Sequence, residues 1–139
     1  MNTVILAVDG SKPSEKAAAS AADLLKHYPE ARLIVVYAVH PAAFAGGGPV
    51  PPSVFEILDQ EAQKLWERTR KVLDGLEERA TFRTLTGHPV QVICSLAEQE
   101  HADLIVMGSH GRSAIDRVIL GSVSHGVLNR AARPVLVVR

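Results

Sequence analysis

Short apolar runs recur along this chain, and each is separated from the next by a stretch with helical periodicity. That alternation constrains the fold more than any other feature. Runs over Thr3 to Val8, Arg32 to Val39, Ala80 to Leu85, Leu104 to Met107 and Val135 to Val138 read as strands. Helical segments are predicted over Lys12 to Lys26, Ser53 to about Arg79, Val90 to His101 and Val123 to Ala131. Strands that alternate with helices form a parallel sheet, with right-handed crossovers and helices on both faces. The expectation is therefore a three-layer α/β fold with an open five-stranded parallel sheet in the common order 3-2-1-4-5.

Local signals agree with that outline. Ser11 is a plausible N-cap for the first helix, and Pro13 is tolerable in its first turn. Ala18, Ala21, Ala22 and Leu25 line one face, small enough for close packing on a sheet. In the second helix Phe55, Leu58, Ala62, Leu65, Thr69, Val72 and Leu76 recur at threes and fours, a core-facing stripe. The span His40 to Pro52 holds three glycines and four prolines, which argue against a helix or central strand there. It reads as a surface loop, or more sharply as a flap over a ligand. Gly126 lies inside the last helix, costs about 1 kcal/mol relative to alanine, and has no reason visible in the sequence.

Bulk properties exclude several function classes. At 139 residues the chain suits one domain, 1–139, large enough to bury about 68–70% of its unfolded surface. Lys plus Arg equals Asp plus Glu, which gives no general attraction to nucleic acid. Locally, Arg112, Arg117, Arg130, Arg133 and Arg139 face Asp116 alone beyond residue 107, a field favourable to a polyanion. The single cysteine, Cys94, excludes an intrachain disulfide and reads as core. No signal peptide is evident, and no apolar run approaches the ~20 residues that span a bilayer. A cytoplasmic protein with no membrane partner is expected.

The stretch Met107 to Ser124, MGSHGRSAIDRVILGSVS, carries the chemistry. Glycine at the end of a strand permits a sharp turn and a close approach of ligand to backbone. Amides freed in such a turn, with those that open the next helix, attract anions. No Gly-Lys-Ser/Thr follows, so this is no Walker A loop, and the spacing is not that of a dinucleotide fingerprint. The order 3-2-1-4-5 makes strands one and four neighbours, and ligands bind beyond strand ends at such a switch point. Asp9 and Gly108, nearly a hundred residues apart, would then meet at one crevice.

The spacing Gly108, two residues, Gly111, nine residues, Gly121-Ser122 resembles the ATP-binding branch of the universal stress protein family. So do Ile5 to Ser11, Ala102 to Arg112 and Arg133 to Arg139, and the likeness is loose only between about His40 and Ser53. The resemblance implies one universal stress protein domain of the Rossmann-like, adenine nucleotide alpha hydrolase-like type. It implies ATP binding in the cytoplasm as part of a stress response. Gly108 and Gly111 would fold around ribose and phosphates, with Arg112 near phosphate charge. Gly121, Ser122, Val123 and Ser124 would present amides and hydroxyls to the phosphate chain. Val8 would line the pocket, Ala38 would offer main-chain contacts to adenine, and Met107 would flank the ribose. Asp9 would face a Mg2+ ion carried by the nucleotide; a second reading makes it a cap of the first helix, and the residues alone leave both open.

No catalytic residue is assigned. Ser122 and Ser124 have no visible triad, and the histidines show no metal-ligand spacing. His110, inside the glycine motif, reads as a solvated loop residue, with contact to the ligand as the sharper alternative. The alternatives to a binding module are a slow ATPase or autophosphorylating phosphotransferase, and a partner-binding module with a vestigial pocket. Val135 to Val138 should form an apolar sheet edge, which a two-fold homodimer would cover; the resemblance implies the same.

Overall fold

The computed structural model describes residues 1–111 and 120–139. Strands β1 (Thr3–Ala7), β2 (Arg32–Val39), β3 (Ala80–Thr86), β4 (Leu104–Gly108) and β5 (Val135–Val138) form a sheet in the order β3-β2-β1-β4-β5. Every neighbouring pair is parallel, so the expected architecture is the observed one. Between the strands run α1 (Lys12–His27), α2 (Pro52–Leu73), α3 (Pro89–Gln99) and α4 (Ser122–Arg130).

The central strands are apolar almost throughout because both faces are covered. Successive residues alternate between two cores. Val4, Leu6, Leu33, Val35 and Val106 point to one side, against Ala17, Ala18, Ala21, Ala22 and Leu25 of α1 and Leu65 and Leu73 of α2. Ile5, Ile34, Val36, Ile105 and Met107 point to the other, against Ile93, Cys94 and Ala97 of α3 and Val127 of α4. Burial of Cys94 raises its thiol pKa above the ordinary value, as expected for a packing residue. At the bottom of the sheet, Asp103 Oδ2 accepts hydrogen bonds from the amides of Asn2 (2.7 Å) and Thr3 (3.0 Å). Those donors hold its carboxyl below the usual aspartate range.

One helix departs from the sequence reading. It is the second, α2, which ends at Leu73 rather than near Arg79. Asp74 (φ 23°) and Gly75 (φ 80°) turn the chain through left-handed backbone that glycine tolerates. Leu76 continues the apolar stripe beyond that break, so periodicity alone hides it. The chain then makes a 3₁₀ turn, Glu77–Arg79, and the Arg79 guanidinium donates to the carbonyls of Leu25, Tyr28 and Ala31 at 2.7–3.0 Å. One arginine thereby satisfies orphan acceptors at the C-terminal end of α1. At the other end of α2 the stripe also overreaches, since Phe55 is half exposed while Leu58, Ala62, Leu65 and Thr69 are buried. The loop before it contains a 3₁₀ turn, Pro41–Phe44.

Gly126 now has a physical reason. A Cβ there would stand 2.7 Å from Cγ2 of Val90, so glycine lets α4 lie directly on α3. The helix-propensity cost is exchanged for close seating of the Val90 side chain of α3 against α4.

Candidate functional site

At the carboxyl ends of β1 and β4 the elements diverge, with α1 packed on one face of the sheet and α4 on the other. A crevice of ≈ 280 Å³ opens there, near the lower end of the roughly 300–1,000 Å³ typical of small-molecule sites. Its position is the topological switch point of the sheet.

The β1 side is built by Asp9, Ser11 and Ser14. Ser11 is the N-cap of α1, its Oγ accepting the amide of Ser14 at 3.2 Å. Ser14 Oγ in turn accepts the amide of Asp9 at 3.1 Å. Asp9 Oδ1 accepts the amide of Ser11 at 2.9 Å, which closes a short turn around Gly10 at φ 82°. The helix cap is therefore Ser11, and Asp9 holds the turn that precedes it. Its second oxygen, Oδ2, looks toward Gly111, where a Cβ would be only 3.0 Å away.

The β4 side is a clasp centred on Ser109, which is fully buried. Its amide donates to Val138 O at 2.7 Å, and its carbonyl accepts from Gly121 N at 2.7 Å and from Ser124 Oγ at 2.6 Å. These bonds hold Gly121 against Ser109 and start α4 beside His110. Gly121 is the N-cap of that helix and offers no side chain to its first amides. The opening amides of an α-helix have no intrahelical acceptor, and those of Ser122, Val123 and Ser124 all belong to residues that line the crevice. The positive end of the helix dipole lies at the same place.

The β2 side is backbone. Val8 N donates to Val36 O at 3.0 Å, so the carbonyl of Val36 faces β1. Strand alternation gives Ala38, two residues on, the same orientation. The pairing of β1 with β2 ends at Ala7↔Val36. The N–H and C=O of Ala38 therefore face the crevice beyond the end of β1, while Val39 O on the opposite side accepts Gly87 N at 2.8 Å. Val8, Pro89, Ile93 and Met107 complete apolar walls.

A model of the universal stress protein family matches residues 1–139. The chain belongs to the universal stress protein family. A universal stress protein of Thermus aquaticus is 40% identical over 145 residues, which cover 99% of this chain and 98% of that one. The universal stress protein UspA from Lactobacillus plantarum superposes with a TM-score of 0.81 at 25% identity, covering 99% of this chain and 97% of its own. A universal stress protein solved in complex with cAMP superposes with a TM-score of 0.70 at 27% identity, covering 99% and 96%.

In this universal stress protein, Val8, Asp9, Ala38, Met107, Gly108, Gly111, Gly121, Ser122, Val123 and Ser124 all line one crevice. Arg112, the remaining expected site residue, lies outside the described residues. Roles within the group differ from the sequence reading. A Cβ on Gly108 would meet Pro13 C, Pro13 Cβ and Ser14 N at 2.8 Å, so this glycine admits the first turn of α1. The Ser124 hydroxyl is buried and donates within the clasp, to Ser109 O or to Gly121 O at 3.0 Å. The crevice also includes Ala7, Ser14, Pro89, Ile93 and His110, which sequence reasoning did not assign to it. Pro89 could have been found, since it opens the helix after β3 and that end of α3 abuts the crevice. No residue of the 41–51 loop lines it. Among the described residues no group of three or more His, Cys, Asp or Glu side chains is placed to hold a metal ion.

Proposed function

We propose that the protein binds an adenine nucleotide, ATP carried with Mg2+, as a cytoplasmic module that reports nucleotide state in a stress response. The observation that carries this reading is the pairing of two backbone features across one crevice. At one side the N–H and C=O of Ala38 complement the adjacent acceptor and donor on the edge of adenine. At the other side the uncapped start of α4 suits a phosphate chain. The distance between them is bridged by Val8, Gly108 and Met107, whose small or apolar surfaces accept base and ribose. Gly111 keeps the turn beside Asp9 open, and Arg112 adds phosphate charge compensation.

Asp9 is the one carboxylate among the described residues that line the crevice. A carboxylate next to polyphosphate is stable when a divalent cation lies between them, and Mg2+ is commonly held by one or two carboxylates together with substrate phosphates. Asp9 Oδ2, the oxygen not used by the Ser11 turn, would supply the protein's share. When bound, the ion would neutralise phosphate charge. The cAMP complex of a relative supports an adenine nucleotide as the ligand class.

The test is direct. ATP with Mg2+ should raise the melting temperature in a saturable way, by about 2.7 kcal/mol of added stability at a hundred times Kd. GTP should bind more weakly, because its base edge presents the opposite donor and acceptor to Ala38. An unmoved melting temperature, with no nucleotide released from freshly purified and denatured protein, would remove the reading.

The chain also pairs with a second copy along β5. Among the described residues that strand is at the sheet edge with only β4 beside it, and Leu136 is 38% exposed on it. An apolar unpaired edge is an association hazard that a two-fold interface removes. Static light scattering at micromolar concentration should give twice the chain mass; a monomer would count against this pairing.

A further inference from the structure

We infer that His110 donates a hydrogen bond from Nε2 to the phosphate chain, with its ring set by the hydroxyl of Ser109. The inference rests on the nucleotide reading above and adds a residue to it. Of the described side chains that line the crevice, Asp9 and His110 alone are titratable. One of these is an anion, so within the described lining a cationic or strong side-chain donor has only one source.

The ring is not free to turn. Ser109 is fully buried, and its Oγ is hydrogen-bonded to His110 Nδ1. A buried hydroxyl proton needs an acceptor. Among the described residues Nδ1 is the partner of that hydroxyl, so Nδ1 accepts and the neutral ring carries its proton on Nε2. If the ring takes up a second proton, Nδ1–H donates to Oγ instead, and Nε2–H remains a donor. Both states thus present the same group to the ligand.

Position is fixed as well as tautomer. The His110 carbonyl accepts Ser11 Oγ at 3.3 Å, which ties the residue to the start of α1. Its Cα lies 3.0 Å from where a Cβ of Gly121 would be. His110 therefore abuts the opening of α4, where the phosphate chain is proposed to end. A donor held beside uncapped helix amides adds to their anion binding without loss of rotamer entropy on ligation.

Calorimetric titration of the full chain with ATP, and displacement of a fluorescent ATP analogue by adenosine, test this. His110→Ala should weaken ATP about tenfold, the loss of one charge-assisted hydrogen bond, and leave adenosine unchanged. His110→Gln, which can place an amide N–H near the Nε2 position, should recover most of the loss. The assignment is overturned by unchanged ATP affinity in His110→Ala, by equal losses for ATP and adenosine, or by equal losses in the two variants. If the wild-type chain binds no ATP, the nucleotide reading fails first and this inference with it. Wild-type binding with an inert His110 sinks the inference alone.

Discussion

Replacing Gly121 by valine should lower ATP affinity about a hundredfold, the cost of one to two charge-assisted hydrogen bonds at about 1.5–3 kcal/mol each, while the sheet stays folded. The reasoning is steric. A Cβ at Gly121 would lie 3.0 Å from His110 Cα and 3.2 Å from Ser109 O, and a β-branched side chain adds bulk at the same point. These neighbours are mostly backbone, so the loop has to yield rather than a side chain rotate. When it yields, the bond from Gly121 N to Ser109 O lengthens and the start of α4 moves off the crevice. The opening amides then no longer converge on one anion. Little of the core depends on this contact, because Val127 further along α4 carries the packing against α3 and the sheet. Calorimetric titration with ATP and a thermal melt without ligand check both halves. Undiminished affinity in a folded variant would show that the helix start does not hold the phosphates.

Why could so much of this be read from the chain, and what could not? Strand placement followed from apolar runs between helical stretches, and the order of strands followed from chirality and switch-point rules rather than from any single residue. The meeting of Asp9 with Gly108 and Gly121 is a consequence of that order, so it was legible too. Ala38 could be placed at the crevice only through the resemblance to the universal stress protein family, since nothing in its own residue type marks it. What stayed hidden depended on distances. Gly108, Gly121 and Gly126 look alike in sequence, yet one admits α1, one admits the loop at His110 and one admits Val90 of α3. Ser124 looks like a ligand donor and is a buried clamp on Ser109 O. The end of α2 was hidden because Leu73 and Leu76 keep the helical spacing across a left-handed turn at Asp74 and Gly75. His110 reads from the sequence as a solvated loop residue or a ligand contact, because nothing there shows that Ser109, its neighbour, is fully buried and fixes its ring.

Gly108→Ala should behave in the opposite way to the Gly121 variant, losing stability by about 1–3 kcal/mol through overpacking. The added methyl would sit 2.8 Å from two backbone atoms, Pro13 C and Ser14 N, and from Pro13 Cβ, closer than real Cβ contacts come. Pro13 has a fixed ring and lies in the first turn of α1, so no side-chain rotation relieves the clash. Relief requires the start of α1 to lift away from β4. That movement strains the Ser11 cap and the bond from Asp9 N to Ser14 Oγ together; loss of a cap alone costs about 1 kcal/mol. The residues behind α1 are small by design of the contact, with Ala17, Ala18, Ala21 and Ala22 buried against the sheet, and they leave no slack into which the helix can tilt. A urea titration should therefore show a lower midpoint with an unchanged slope, and ATP at saturating concentration should restore part of the loss by mass action. A midpoint equal to that of the wild type would mean the helix start is more yielding than its proline implies, and that Gly108 is required by the ligand after all.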